Sequence, residues 1–156
     1  MEIRRAVIGD LKGIQELNLM LFKKEYRESD KTLDLGWSFG KLGEKWFRER
    51  IVDERGCVFV AEIDGKIVGY LSGSEIDSEE YRKVMRVAEA DDMFVLGEFR
   101  GKGIGGELHD AFIGWCRKRG VKLVKAKINA SNEGSIGFHK KKGFVDYNVE
   151  LEKRLK

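Results

Sequence analysis

The chain of 156 residues suits one compact domain, because domains usually comprise roughly 100 to 200 residues. Apolar residues make up 42% of it, which is enough to bury a core and argues against disorder. The net charge of +3 comes from basic and acidic residues interspersed along the chain, which excludes the concentrated basic surface of a nucleic-acid-binding protein.

Neither a membrane-spanning segment nor a metal centre is expected. No apolar run approaches the roughly 18 residues that cross a bilayer. The start, Met1–Arg5, lacks the hydrophobic stretch of a signal peptide, so we expect a soluble, cytoplasmic protein. Of the two cysteines, Cys57 and Cys116, the second falls on the apolar face of a predicted helix, which favours buried thiols over a disulfide or a metal centre.

The first half of the chain alternates strands and helices. Residues Met1–Val7 read as a strand, and Asp10 is placed to cap a helix whose apolar residues recur every three or four positions. The irregular stretch Tyr26–Gly43 is a candidate substrate-facing flap. A second amphipathic helix around Trp46–Ile51 is expected to end near Arg55-Gly56.

A hairpin and the second half follow. Asp64-Gly65 is a strong hairpin signal between two β-rich runs. The predicted elements are the strands Cys57–Ile63, Lys66–Ser72 and Val84–Leu96, a helix from Gly103 to Gly120, a strand Val121–Ala130, a helix Asn132–Lys142 and a last strand Phe144–Leu155. This order predicts a single domain over residues 1–156, of mixed α/β (α+β) class, with a mixed sheet flanked by helices and a parallel β-α-β crossover.

The most informative stretch is the glycine-rich turn 100–106, between a strand and a helix. Glycines let backbone approach a ligand closely, and the free N–H groups of the first helical turn attract an anion. The turn is therefore a candidate phosphate site.

Gly101, Gly103 and Gly106 fit the dinucleotide fingerprint, but the acidic residue required about 20 positions later is missing. A P-loop fails as well, because the glycine spacing is one residue short and Gly103 stands where a Ser or Thr is needed.

Two motifs together carry a family resemblance. Arg100, Gly103 and Gly105 form an R-x-x-G-x-G segment that resembles the acyl-CoA pyrophosphate loop of the GNAT N-acetyltransferase superfamily. The later block Asn132–Phe144 resembles that family's N-x-x-A-x-x-L-Y-x-K-x-G-F block. The likeness is specific over roughly Ala90–Phe144, while the first half matches only in the layout of its elements.

The resemblance implies a GNAT fold, acetyl-CoA as co-substrate without a metal, and a set of binding residues. In the family, the strand before the loop carries a bulge and splays from the next strand, and the pantetheine arm lies in the gap. The implied cofactor-binding residues are Phe94, Val95, Leu96, Arg100, Gly101, Lys102, Gly103, Ile104, Gly105, Gly106, Asn132 and Lys141. The backbone N–H of Val95 is expected to polarise the thioester carbonyl. Lys102 and Lys141 also fit solvated lysines, the latter at a helix C-terminus, and Asn132 also fits a helix N-cap.

Three side chains are candidates for catalysis. Amide formation requires a proton acceptor for the attacking amine, and Asp91 and Asp92 lie three to four residues before Val95. The stretch Asp91–Val95 is similar to the acidic-acidic-Phe-Phe-Val stretch of diamine acetyltransferases. Adjacent strand residues point to opposite faces, so we expect only one aspartate to reach the cleft.

His139 stands where the family usually has a tyrosine that donates a proton to the departing sulfur. Imidazole can donate too, since it titrates near neutral pH, and a structural role beside Phe138 is the alternative. His109 lies one residue off the apolar stripe of its helix and is expected at the surface.

The sequence therefore predicts an N-acetyltransferase that moves an acetyl group from acetyl-CoA to a primary amine, either a small polyamine-like molecule or a protein amine. A CoA-binding module with little or no catalysis is the alternative. The expected partner is the amine substrate, with no nucleic acid and no membrane, and the resemblance also implies a homodimer.

Overall fold

The computed structural model describes residues 1–84 and 86–156. Its strands are β1 (Glu2–Arg5), β2 (Gly56–Ile63), β3 (Lys66–Ile76), β4 (Val87–Val95) and β5 (Leu123–Ala126). Its helices are α1 (Leu11–Glu28), α2 (Lys41–Val52), α3 (Ile104–Lys118) and α4 (Glu133–Lys141). Position 85, inside the predicted strand 84–96, lies outside the described residues.

The five strands form one mixed sheet in the order β1-β2-β3-β4-β5. The first three pairings are antiparallel, and β4 pairs with β5 in parallel. The connection from β4 through α3 to β5 is the predicted crossover, and the predicted fold class is confirmed. The β2–β3 hairpin turns at Asp64-Gly65, where both residues have positive φ, 50° and 76°, as a tight primed turn requires.

Alternating side chains of β2 divide the core into two layers. Val58 and Val60 pack on the side that carries α1 and α2. Cys57, Phe59 and Ala61 pack on the side that carries α3. Because successive strand residues point to opposite faces, one strand serves both cores and the sheet lies between two helical layers.

Helix α3 follows its predicted boundaries closely. Its buried residues Ile104, Leu108, Phe112 and Cys116 recur every four positions and face the sheet. The helix ends before Gly120, whose φ of 73° suits a left-handed C-terminal residue. Both cysteines are buried and free, and burial raises the pKa of each thiol to about 12, so neither is a reactive thiolate at neutral pH.

The segment between α1 and α2 is held down by buried polar contacts. Asn18 of α1 donates to the Tyr70 hydroxyl over 3.0 Å and accepts from the Ser38 hydroxyl at 2.5 Å. Gln15 donates to the Ser38 carbonyl oxygen at 3.0 Å, and Trp37 packs against α2. Part of the predicted flap is therefore a packed layer of the core.

The predicted last strand, Phe144–Leu155, is wrong. Residues 144–156 form neither a helix nor a strand, and among the described residues the sheet ends at β5. The predicted strand Val121–Ala130 is also shorter, at four residues, because only 123–126 lie against β4. None of the helices in residues 1–84 and 86–156 is long and apolar enough to cross a bilayer.

Gly43 of α2 offers a test of how tightly the α1–α2 segment packs. A Cβ there would lie 1.9 Å from the Trp37 carbonyl oxygen, a backbone atom that cannot move aside. We expect Gly43→Ala to lower the free energy of unfolding by about 3 kcal/mol in urea titrations. The control is Gly114→Ala in α3, where a Cβ meets nothing within 4 Å and should raise stability by about 0.5–1 kcal/mol. Equal effects of the two substitutions would contradict the packing of this segment.

Candidate active site

The turn between β4 and α3 exposes a cluster of backbone N–H groups. Gly101 and Gly103 have φ of 75° and 84°, a conformation that a side chain disfavours. Gly103 is the N-cap of α3, and no described residue accepts a hydrogen bond from the N–H groups of Ile104, Gly105 and Gly106. These donors and the helix dipole point at one spot, so the first turn of α3 suits an anion such as phosphate.

The side chains of this turn hold it against β4. Arg100 donates from Nε to the Val95 carbonyl oxygen over 2.8 Å, and its guanidinium lies 5.0 Å from the centre of the Phe94 ring. The Lys102 ammonium lies 5.4 Å from the Phe99 ring. Arg100 and Lys102 are both exposed, so their positive charge stays beside the N–H cluster while the Arg100 hydrogen bond fixes the loop.

Strands β4 and β5 part in the middle of β4. Their parallel pairing covers Val87–Ala90 against Leu123–Ala126, and β4 then continues to Val95 without β5 beside it. The expected splay is therefore present. The Phe94 side chain is buried in the α1–α2 core, so this residue offers the gap only its backbone.

A cleft of about 230 Å³ lies where the strands part. The lining comprises Leu21, Glu25, Leu71, Ala90, Asp91, Asp92, Met93, Ala126, Lys127, Ile128, Asn129, Asn132, Ser135 and His139. Met93 connects this cleft to the anion site, because a Cβ on Gly105 would lie 3.7 Å from its methyl carbon. The cleft and the first turn of α3 are thus neighbouring parts of one site.

The expectation that only one aspartate reaches the cleft is wrong, and a bulge explains why. Ser72 of β3 faces Asp92, but the next residue, Gly73, faces Ala90, so Asp91 is an extra residue in β4. A bulge breaks the alternation of side chains, and both Asp91 and Asp92 line the cleft. The resemblance correctly predicted a bulge in this strand, and side chains do not alternate regularly across a bulge.

The two aspartates have different surroundings. Arg50 of α2 donates from Nε to the Asp91 carboxylate over 2.9 Å, and its guanidinium lies 3.4 Å from the Trp46 ring. Burial raises the pKa of Asp91, and Arg50 opposes that rise. Asp92 makes no such hydrogen bond to a cation: burial, with the negative charges of Asp91 and Glu25, outweighs the charge of Arg50 and raises its pKa to about 7. Asp92 is therefore poised to exchange a proton near neutral pH.

Glu25 of α1 is a third carboxylate in the cleft, and the sequence analysis missed it. Burial raises its pKa, and no described residue forms an ion pair with it. One signal was available: Glu25 lies four residues after Leu21, so it shares the buried face of α1. What could not be read locally is that this face reaches β4.

His139 and Asn132 lie on the α4 side of the cleft. The Asn132 side chain accepts from the Ser135 N–H at 3.0 Å, so it caps α4 as well as lining the cleft. His139 is buried, and its Nδ1 lies 2.8 Å from the Ser135 carbonyl oxygen. Because a carbonyl oxygen only accepts, we assign a proton to Nδ1, which donates to the Ser135 carbonyl oxygen. The Nε2 atom then has no hydrogen-bond partner among the described residues.

The expectation that His109 lies at the surface is wrong. His109 is 4% exposed and packs edge-on against the rings of Phe138, His139 and Phe144. Burial lowers its pKa, which favours the neutral ring. The apolar surface of α4 covers this side of α3, a contact that the periodicity of α3 alone does not reveal.

One lysine at the end of α4 approaches the first turn of α3. Lys142 donates to Asp110 over 2.9 Å, and its Nζ lies 3.7 Å from the Cβ position of Gly106. Lys141, the predicted phosphate ligand, is exposed. No group of three or more potential metal ligands occurs in the part of the chain that the structure describes.

A family model for the acetyltransferase (GNAT) family matches residues 14–144. The chain belongs to the GNAT family. This match covers most of the chain.

Relatives among curated proteins agree with this assignment. An uncharacterized N-acetyltransferase of Methanocaldococcus jannaschii is 36% identical over 149 residues, which cover 94% of this chain and 62% of the relative. The chain thus spans less than two thirds of that protein. An uncharacterized N-acetyltransferase of Archaeoglobus fulgidus is 30% identical, with 89% of each chain covered. An L-methionine sulfoximine/L-methionine sulfone acetyltransferase of Pseudomonas aeruginosa is 29% identical over 91% of this chain and 78% of the relative.

Solved structures share the GNAT fold. A tetramutant of the BH1408 protein of Bacillus halodurans superposes with a TM-score of 0.86 at 20% identity, covering 99% of this chain and 100% of that one. The aminoglycoside N-acetyltransferase AAC(6')-Iy in complex with CoA gives a TM-score of 0.75 at 19% identity, with 99% of each chain covered.

The contrast between surface and cleft aspartates in this GNAT domain is testable by pH. An unfolded aspartate titrates near 3.9, whereas Asp92 titrates at about 7 in the fold, so the folded state binds the extra proton between these values. The stability that Asp92 contributes is thus full below pH 4 and is lost as pH rises through 7. We expect Asp92→Asn to match the parent at pH 4 and to exceed its unfolding free energy by about 4 kcal/mol at pH 8.

Asp110→Asn is the matched control, because the Lys142 hydrogen bond lowers the pKa of this exposed aspartate. Its removal should cost at most about 1 kcal/mol, and only above pH 4. Urea titrations from pH 4 to 8 measure both variants. A pH-independent effect of Asp92→Asn would contradict the raised pKa.

Proposed function

We propose that this domain is an N-acetyltransferase that moves an acetyl group from acetyl-CoA to a primary amine of a cationic acceptor, by direct attack in a ternary complex. The observation that carries the proposal is the continuity of two sites: the anion-binding first turn of α3 and the acidic cleft meet at Met93. One end suits the phosphates of a nucleotide thioester and the other suits a cationic amine.

The first turn of α3 and the free part of β4 support binding of acetyl-CoA. The N–H groups of Ile104, Gly105 and Gly106 receive the pyrophosphate, with Arg100 and Lys102 adding positive charge. The backbone of β4 beyond Ala90 lies free to pair with the amides of the pantetheine arm, and the Val95 N–H is assigned to the thioester carbonyl oxygen. The phosphate loop also comprises Gly101 and Gly103. Asn132 and Lys141 are further contacts that the family resemblance implies.

Asp92 is the proposed base. The amine nitrogen attacks the thioester carbonyl carbon, the C–N bond forms, and the C–S bond breaks. The proton that the amine loses passes to the Asp92 carboxylate, directly or through a water. Asp91 is held by Arg50 and supplies negative charge that favours a cationic substrate.

His139 is the proposed proton donor to the departing thiolate. In the protonated ring, Nδ1–H keeps its hydrogen bond to the Ser135 carbonyl oxygen, and Nε2–H is free to donate to the sulfur. His139 thereby takes the role that a tyrosine usually has in this family.

The cleft favours acceptors that carry positive charge. Three carboxylates, Glu25, Asp91 and Asp92, line it, and only Asp91 has an arginine partner within the described residues. Polyamines, aminoglycosides and protein amines all fit this chemistry. The relative that acts on methionine sulfoximine indicates that an amino-acid amine belongs in the same panel.

Gly105 tests the assignment of the phosphate site. A Cβ there meets only Met93, at an ordinary distance, and its φ is not positive, so a valine is accommodated but covers the first-turn N–H groups. We expect Gly105→Val to raise the dissociation constant for CoA at least tenfold, about 1.4 kcal/mol, in calorimetric titrations.

Gly114→Val is the matched control, because it places the same residue in the middle of α3, with open space around it. CoA should bind this variant with the affinity of the parent and should raise its melting temperature. NADH should raise the melting temperature of neither the variant nor the parent. Unchanged CoA affinity in a folded Gly105→Val variant would move the phosphate site elsewhere.

Turnover tests the reaction itself. Thiol release from acetyl-CoA, measured with a polyamine, an aminoglycoside, a peptide and methionine sulfone, should occur with at least one of these amines. Because the base acts when deprotonated, kcat/KM should rise as pH rises through about 7. Asp92→Asn should lower kcat about 100-fold and remove this limb, with CoA affinity unchanged. CoA binding without thiol release for any amine would favour a non-catalytic CoA-binding module instead.

A further inference from the structure

The hydroxyl of Ser72, in the middle of β3, is a buried polar group with no partner in the core. Ser72 is fully buried, and its Oγ makes no hydrogen bond to any described residue. Burying a hydroxyl without a partner is unfavourable, and an alanine would fill the same space without that cost. The stability of the core therefore does not explain why a serine stands here.

Strand pairing places this hydroxyl beside the proposed base. In the β3–β4 register Ser72 lies opposite Asp92, and the next pair, Gly73 and Ala90, skips the bulged Asp91. Opposed residues of an antiparallel pair project from the same face, with their Cβ atoms about 4.5–5.5 Å apart. That separation allows a serine hydroxyl to donate a hydrogen bond to the carboxylate of its cross-strand neighbour.

The neighbouring pair shows which face this is. Tyr70 and Phe94, two positions further along each strand, lie opposite each other and both pack in the core on the α1–α2 side. Because side chains two residues apart share a face, Ser72 and Asp92 project toward α1 and α2 as well. Asp92 lines the cleft, whereas Ser72 is fully buried, so the hydroxyl lies behind the carboxylate and does not touch the acceptor.

The charged groups near Asp92 leave its carboxylate without a hydrogen-bond donor. Glu25 from α1 and Asp91 from the same strand both disfavour a second negative charge. Arg50 from α2 lowers the pKa of Asp92 only through its charge, since its hydrogen bond goes to Asp91. On β3, burial and the charge of Asp92 raise the pKa of the Tyr70 phenol, which therefore stays neutral.

The opposite wall of the cleft adds two more titratable groups. Lys127 follows β5, and His139 belongs to α4. Lys127 lies 4.0 Å from Glu89, and the His139 Nδ1 lies on the Ser135 carbonyl oxygen. Ser72 is therefore the buried neutral donor that strand pairing brings to the back of Asp92.

We propose that Ser72 is a positioning residue for Asp92: its hydroxyl turns about χ1 and donates a hydrogen bond to one oxygen of the charged carboxylate. The other oxygen then stays directed at the cleft, where the amine proton arrives. The hydrogen bond also stabilises a negative charge that Glu25 and Asp91 disfavour. This inference rests on the proposed role of Asp92 as the base.

Removal of the hydroxyl tests the hydrogen bond without any substrate. A donor to the charged form lowers the pKa of a carboxyl, so Ser72→Ala should raise the pKa of Asp92 by about one unit from its value of about 7. Carbon NMR of the Asp92 carboxyl measures this titration. Ser74→Ala is the matched control, because Ser74 is buried on the same face of β3 but lies opposite Glu89. It should leave the Asp92 titration unchanged.

The pH profile of turnover connects the hydrogen bond to the reaction. In Ser72→Ala the rising limb of kcat/KM should move to higher pH by the same amount as the Asp92 titration. Well below pH 7 this shift lowers kcat/KM by about tenfold, because the deprotonated fraction of the base falls by that factor. CoA affinity and the profile of Ser74→Ala should match the parent.

The outcomes separate this inference from the proposed function. An unchanged Asp92 titration in folded Ser72→Ala overturns the inference, whether or not any amine is acetylated. An equal shift in Ser74→Ala also overturns it, because the effect would not depend on the cross-strand position. A shifted titration with an unmoved kinetic limb upholds the hydrogen bond and overturns Asp92 as the base. Each alanine removes one hydroxyl without adding volume, so both variants should stay folded.

Discussion

The parting of β4 from β5 is the constraint on which the site depends. Hydrogen bonding between them stops at Ala90, and the bulge at Asp91 turns the remainder of β4 away. A bulge increases local twist, so the same irregularity that separates the strands also re-aims the carboxylates. The backbone groups left free along β4 need partners, and an extended ligand with its own amides satisfies them as an added strand would.

Two adjacent carboxylates acquire different properties because the bulge gives them different neighbours. Asp91 meets Arg50, which Trp46 holds in place, and so keeps a compensating cation. Asp92 faces two other negative charges instead, which favours its protonated form. Neighbouring groups whose environments push their pKa values apart are the usual basis for assigning one as a proton carrier and the other as a fixed charge.

Local rules predicted most of the elements and failed where distant segments meet. Periodicity predicted α3 and its end at Gly120, and Asp64-Gly65 predicted the hairpin, because each of these signals is carried by residues close together in the sequence. The pleat rule failed at Asp91, since a bulge depends on the pairing partner. Glu25 was missed because nothing near it in sequence shows that α1 faces β4. The prediction of a last strand was wrong, because the alternation in residues 144–155 does not specify a neighbouring strand for it to pair with.

The wall of the cleft opposite β4 has little backbone support, because β5 pairs over only four residues. Side chains supply what the ladder does not. Lys125 of β5 pairs with Glu79 at 2.6 Å. The rings of His109, Phe138, His139 and Phe144 pack together and join α4 to α3. A charged His109 would be costly in this apolar cluster, and burial keeps it neutral by lowering its pKa. Since α3 also carries the anion-binding turn, this aromatic contact fixes His139 relative to the phosphate site. A histidine that periodicity assigns to the surface thus sets the distance between the two halves of the site.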